Sequence, residues 1–249
     1  MRKLIILYAL LATQLQPVSA QENAKDSISK NDDHLIYKHF IIPAAFIGYG
    51  IGSLASKELQ QLNLSTRYEI NEHQPDHIRL DNYTQYMPAA MVYGLNAAGI
   101  KGEHNVRDRS VIYATSQMMV AAITIPVKHL VKEERPDGSN FLSFPSGHTA
   151  TAFSSAWFLY REYHKEHFWL SLSGFPLATF TGVYRTLNDK HWVGDVIAGA
   201  GIGIVSTELS YWLFPKINSL FSHGHHHHPA MILPYIQPHG FGIGFVESL

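Results

Sequence analysis

Long runs without Asp, Glu, Lys or Arg recur along this chain and constrain it more than any other feature. They cover His39 to Ser56, Asn82 to Ile100, Ser110 to Val127, His148 to Tyr160, His167 to Tyr184, and Val196 to Thr207, the last continuing past Glu208 to Phe214. A buried segment must satisfy its own backbone N–H and C=O groups, and helices do so within one segment. Ala, Gly, Ser and Met dominate several of the runs, and Met118, Met119, Ala121 and Ala122 suit close helix packing better than pleated alternation. The runs therefore predict an all-α fold, a bundle of about six core helices with the site at the helix ends. Gly194, Gly199, Gly201 and Gly203 in the sixth run are expected to let helices approach closely.

Whether these segments cross a bilayer is left open by their composition. Most are only 18 or 19 residues long and carry Asn, Gln, Ser, Thr and Pro, and the mean hydropathy of the chain is −0.06. The 249 residues, 46% of them hydrophobic, are enough for one domain with a substantial core. A net charge of −1 with no sustained basic run argues against nucleic acid as a partner, and no obligate protein partner is evident. With no cysteine, disulfide arguments do not arise.

At the N-terminus Arg2 and Lys3 precede the apolar run Leu4 to Ala12, and Val18-Ser19-Ala20 offers small residues for a signal peptidase. Residues 1–20 are read as a signal peptide, 21–36 as a flexible lead-in, 37–221 as the helical domain, 222–230 as a His-rich linker and 231–249 as a C-terminal tail that is short, irregular or β-like. The tract around His223 and His225 to His228 is a linker or a loose transition-metal site. The expected location is the bacterial cell envelope with the site on the periplasmic side. Counting three spans from an exported N-terminus instead puts residues 128–147 in the cytoplasm, so both an integral and a periplasmic globular form stay open.

Three short stretches carry chemistry. In Phe144-Pro145-Ser146-Gly147-His148-Thr149 a proline, a hydroxyl and a glycine precede a weakly polar run, which predicts a tight turn into a helix. The first N–H groups of a helix lack intrahelical partners and sit at the positive end of its dipole, so an anion is favoured there. His148 stands beside it as a proton donor. Upstream, Lys128, Lys132 and Arg135 are spaced to share one face of a helix that Pro136 ends. Guanidinium gives paired hydrogen bonds to phosphate and ammonium gives a point charge. Downstream, a helix beginning near His191 would place Asp195 one turn on, where its carboxylate fixes the ring tautomer and frees the other nitrogen to attack.

Lys128 through Arg135-Pro136, Pro145-Ser146-Gly147-His148, and Arg185 through His191 to Asp195 resemble, in order and spacing, the three-part signature of the type 2 phosphatidic acid phosphatase and vanadium haloperoxidase superfamily. The resemblance implies a metal-independent phosphoric ester hydrolase without a cofactor. In it Lys128, Arg135, Ser146, Gly147 and Arg185 hold phosphate, His191 forms a phosphohistidine, Asp195 orients it, and His148 protonates the leaving oxygen. Tyr184 stands where many members have serine, and Val193 and Gly194 where many have proline or serine. The implied substrate is a phosphorylated envelope lipid at the membrane, of lipid A, prenyl diphosphate or phosphatidate type. A soluble periplasmic acid phosphatase and, less so, a vanadate-dependent haloperoxidase share the same pocket. Phe141, Phe144 and Trp192 are expected to border the site and to favour an amphiphile.

Overall fold

The computed structural model describes residues 38–73, 79–222, 230–237 and 240–247. The signal peptide, the lead-in and the core of the histidine tract lie outside these residues. Nine helices are described: α1 (Lys38–Ala55), α2 (Lys57–His73), α3 (Asp81–Thr84), α4 (Met87–Ala97), α5 (Val106–Val131), α6 (Gly147–Tyr163), α7 (Phe168–Leu172), α8 (Gly174–Leu187) and α9 (Val193–Ser222). Strands β1 (Ala230–Gln237) and β2 (Gly240–Glu247) form an antiparallel hairpin in the tail.

Four of the helices, α1, α5, α6 and α9, each follow one uncharged run closely. Two runs are broken where the backbone needs it: Asn82 to Ile100 divides into α3 and α4 with Pro88 in the first turn of α4, and His167 to Tyr184 divides at Ser173 into α7 and α8. Helix α2 has no counterpart among the runs. It is polar along its length and meets α1 at a bend of 91°, and it is tied to the bundle through Asn63, whose Oδ1 accepts from Gly194 N at 3.4 Å.

Helix α9 is the axis, packed against α1, α5 and α6. Its glycines permit this. A Cβ on Gly199 would lie 2.5 Å from the carbonyl oxygen of Ser146, and one on Gly203 would strike the backbone of Ala150. The start of α6 thus rests directly on the backbone of α9. At the far end of the bundle Ala89, Val92, Ile112, Phe158, Leu159, Tyr163 and Tyr211 form the main core cluster, and buried Arg109 is paired with buried Glu162.

Two helices, Val106–Val131 and Val193–Leu220, are long and apolar enough to cross a membrane, or three spans if the bent α1–α2 pair counts as one. Only 22% of the apolar window of α5 is buried inside the protein. Met118 (71% exposed) and Leu130 (80%) on α5, and Ile41 (62%) on α1, point outward. Exposed apolar surface on this scale is what a bilayer covers.

Candidate active site

Every charged residue singled out in the three stretches, except Lys132, comes to one end of the bundle. Two helix N-termini, those of α6 and α9, and two C-termini, those of α5 and α8, converge there. The C-terminal ends bring cations, Lys128 near the end of α5 and Arg185 near the end of α8, while the N-terminal ends bring backbone donors.

Ser146 is the N-cap of α6, and its side chain accepts from Thr149 N. Its hydroxyl also bonds Thr149 Oγ1 at 2.9 Å, and its own N–H donates to the Asp195 carbonyl at 3.0 Å. Fully buried, Ser146 fixes the turn on both sides. Gly147 opens the helix, and a Cβ placed on it would meet nothing within 4 Å. Gly147 thus faces open space at the start of the helix. The Phe144–Pro145 peptide is cis.

The cationic stretch reaches the site differently from what its spacing predicts. α5 ends at Val131, and Lys132 adopts a left-handed conformation with φ of 53° as the C-cap. The residues from Glu133 to Pro136 are not helical, because the residue before a proline is pushed out of the α region and the chain has already turned. Lys132 is exposed and does not share a face with Lys128 and Arg135. Arg135 is carried in by the loop. Lys128 Nζ donates to the carbonyls of Leu142 at 2.8 Å and Ser143 at 3.0 Å, which uses two of its three N–H groups. The Nε atoms of Arg135 and Arg185 are buried and have no hydrogen-bond partner among the described residues. Buried guanidinium N–H groups without an acceptor, beside an open helix N-terminus, fit an oxyanion.

His191 lies two residues before α9, in the loop and not on the helix, yet its Nδ1 is 3.4 Å from Asp195 Oδ2. The same oxygen accepts from Trp192 N at 2.9 Å and from Ser143 Oγ at 2.5 Å. The carboxylate is held by donors from two stretches, so it in turn holds the ring. With Nδ1–H directed at the carboxylate, Nε2 carries the lone pair. Burial pushes the His191 imidazole down to about 4, with Lys128 and Arg185 adding to the effect and Asp195 opposing it. It is neutral, hence nucleophilic, at physiological pH.

His148, the second residue of α6, is likewise lowered to about 4 by burial and by the charges of Arg185, Arg135 and Lys128, against the pull of Asp81. All three cations therefore act on one imidazole. A bound phosphate dianion offsets them and raises His148 toward its protonated form.

Three residues were missed by sequence reasoning. Asp81 Oδ2 accepts from Arg185 Nη1 at 2.6 Å, and Asn82 Oδ1 lies 2.8 Å from His148 Nε2. They are far away in sequence, and no spacing marked them. The third, Glu133, lies inside the cationic stretch. Its Oε2 and Asp195 Oδ1 are both buried without a conventional donor, and the two side chains interact directly. A proton between them explains both atoms. It resides on Glu133, because Asp195 already receives three donors. Burial, the contact with Asp195 and that residue's charge push the Glu133 carboxyl up to about 9. Above the usual carboxylate range the unfolded chain has lost this proton and the folded chain keeps it, so the stabilisation is complete below about pH 4.5 and fades as pH rises toward 9. Below about pH 6.5 the two lowered imidazoles, His148 and His191, work the other way, so thermal melts of the wild type are expected to show the Glu133 decline only above that pH, and Glu133→Gln, which keeps a donor without the proton exchange, to flatten it. Parallel slopes would place the proton elsewhere.

Phe144 is buried core and not a substrate-facing ring. Phe141 is 60% exposed, and Trp192 anchors the rim by donating Nε1–H to the Glu134 carbonyl at 2.8 Å. Among the described residues no three His, Asp or Glu side chains are grouped as metal ligands.

A sequence model described as the PAP2 superfamily matches residues 109–219, which contain all three stretches. The chain is 35% identical over 138 residues, 55% of its length, to a lipid A 1-phosphatase of Porphyromonas gingivalis, of which the match covers 31%. It is 39% identical over 77 residues, 30% of its length, to a lipid A 1-phosphatase of Helicobacter pylori, of which 38% is covered. It is 28% identical over 178 residues, 64% of its length, to a bacitracin transport permease protein, BcrC, of Bacillus licheniformis, of which 83% is covered. The match spans about a third of the length of the two lipid A phosphatases.

Proposed function

Residues 109–219 belong to the PAP2 superfamily, and on that premise we propose that the chain is a membrane-associated phosphatase of a phosphorylated envelope lipid, acting through a phosphohistidine. The observation that carries this reading is the neutral, carboxylate-oriented His191 within electrostatic reach of Lys128 and Arg185, at the same end of the bundle as Arg135, His148 and the start of α6.

The steps follow from the geometry. Phosphate oxygens are held by the two guanidinium groups, the ammonium and the N–H groups at the start of α6. His191 Nε2 attacks phosphorus, the bond to the leaving oxygen breaks, and that oxygen takes a proton from His148. Water then attacks the phosphohistidine while the now neutral His148 accepts its proton. The P–N bond breaks, His191 is restored and inorganic phosphate leaves. The dianion itself supplies the shift that protonates His148, so the acid is charged in the complex and neutral in the free protein. This predicts a kcat profile whose alkaline limb lies above that of kcat/KM.

Lipid substrates are favoured by two membrane-length helices and outward-facing apolar side chains around a site at the bundle end. The names of the Porphyromonas gingivalis and Helicobacter pylori relatives point to lipid A within that class. A phosphate-release panel on the full chain in detergent tests this, with lipid A, a prenyl diphosphate, phosphatidate and a soluble aryl phosphate compared at equal concentration. Lipid A is expected to give the highest kcat/KM. Equal or higher turnover of the soluble ester would overturn the lipid reading in favour of a broad periplasmic acid phosphatase.

A further inference from the structure

The single turn α3 lies outside all three stretches, yet two adjacent residues in it reach two different groups of the site. Asp81, 1% exposed, bonds Arg185, and Asn82 bonds His148. The turn is fastened to the helix that carries Arg185, since Thr84 Oγ1 and Thr181 Oγ1 are 2.9 Å apart. Asp81 and Thr84 therefore fix α3 to α8, and Asn82 projects from that fixed turn to α6.

We infer that α3 is a clamp in which Asn82 is the positioning residue for His148 and Asp81 the positioning residue for Arg185. An amide oxygen can only accept, so the contact at 2.8 Å requires a proton on His148 Nε2. The proton handed to the leaving oxygen is then the one on Nδ1. The doubly protonated ring donates from both nitrogens, and Asn82 stabilises that form by taking the Nε2 proton as its acceptor. The other charged groups that face the ring, Arg185 on α8, Arg135 in the loop and Lys128 on α5, disfavour it, and Asp81 favours it. Asp81 meanwhile occupies Nη1 of Arg185, which aligns the guanidinium plane and leaves the buried Nε–H for phosphate.

This inference rests on the reading of His148 as the general acid, and its test separates the two. Turnover is measured on the full chain in detergent with phosphatidate, whose leaving group is a primary alcohol, and with a lipophilic nitrophenyl phosphate, whose leaving group needs little protonation. His148→Ala is expected to lose far more on the alcohol ester than on the aryl ester. Asn82→Ala is expected to show the same selectivity at smaller scale, about 10- to 100-fold on the alcohol ester, a part of what general acid catalysis supplies. Asn82→Asp keeps an acceptor and adds a charge, so it is expected to restore the alcohol ester and to move the alkaline limb of kcat upward. Asn82 is exposed, and its variants are expected to fold. Asp81→Asn is expected to weaken inhibition by inorganic phosphate without changing the ratio between the two esters. Equal losses on both esters for Asn82→Ala, or no loss, would overturn the assignment of Asn82. An unselective His148→Ala would overturn the acid reading itself, and Asn82 with it. Unchanged phosphate inhibition in Asp81→Asn would overturn the second half of the clamp.

Discussion

His191→Ala is expected to abolish phosphate release, by about 10⁴-fold or more, which is the scale seen when a nucleophile is removed from a preorganised site. The residue is 1% exposed and its loss leaves a cavity, so the measurement needs a second arm. His191→Asn, closer in volume, is expected to melt near the wild type and to be equally inactive. The phosphoenzyme gives the direct readout. A phosphate on imidazole nitrogen is acid-labile and stable in alkali, so quenching in base with a labelled substrate should leave label on the wild type and none on either variant. His148→Ala with an aryl ester should hold more label than the wild type, because the first step no longer needs the acid while the second still needs the base. Asp195→Asn is expected to fall between, since the ring keeps its place but loses the acceptor that fixes its tautomer. Label retained by His191→Asn would remove the nucleophile assignment.

Much of this site is legible in the amino-acid sequence, and the reason is local. The turn at Pro145-Ser146-Gly147 specifies its own geometry, and Ser146 stands as the N-cap that those residues imply. His191 and Asp195 are four residues apart, and the contact survives although His191 precedes the helix, because the chain enters α9 in a turn whose first N–H, that of Trp192, bonds the same carboxylate. The uncharged runs read as helices for a similar reason, each burying apolar side chains along a single segment. What is not legible depends on distance in sequence or on backbone choices that side chains do not announce. Lys128 and Arg135 come together through a left-handed residue at Lys132 and a non-helical loop, so helical periodicity groups two residues that do meet, but by a route the backbone does not take, and adds Lys132 to them. Polar α2 gives no apolar signal. Asp81 meets Arg185 across 104 positions, and only the packing of α3 on α8 brings them together. Glu133 stands among the cations, where a carboxylate reads as a solvated neighbour, and its protonated form follows only from burial against Asp195.

Arg185→Lys is expected to be nearly as damaging as its removal, with kcat/KM lowered by about 10²- to 10³-fold, the scale of one preorganised donor lost at developing charge. The charge is kept, so a purely electrostatic role would predict a small effect. The geometry says otherwise. One side of the guanidinium is committed to Asp81 through Nη1 at 2.6 Å, and the buried Nε–H has no acceptor among the described residues. A planar fork can serve an acid and a phosphate at once, whereas an ammonium on a shorter reach must choose between them. In the free protein Asp81 is the nearer partner, so the lysine is expected to stay with it and leave the phosphate short of a donor. Arg185→Ala carries a different penalty: it strands Asp81, 1% exposed, without its cation, at a cost of about 3–5 kcal/mol in stability. Arg185→Ala combined with Asp81→Asn removes the stranded charge, so it is expected to recover most of the melting temperature and none of the activity. That pair of readouts separates the structural half of the ion pair from the catalytic half. If Arg185→Lys keeps kcat/KM within a few-fold of the wild type, the fork is not what holds the phosphate, and Lys128 and Arg135 must carry it with the start of α6 alone.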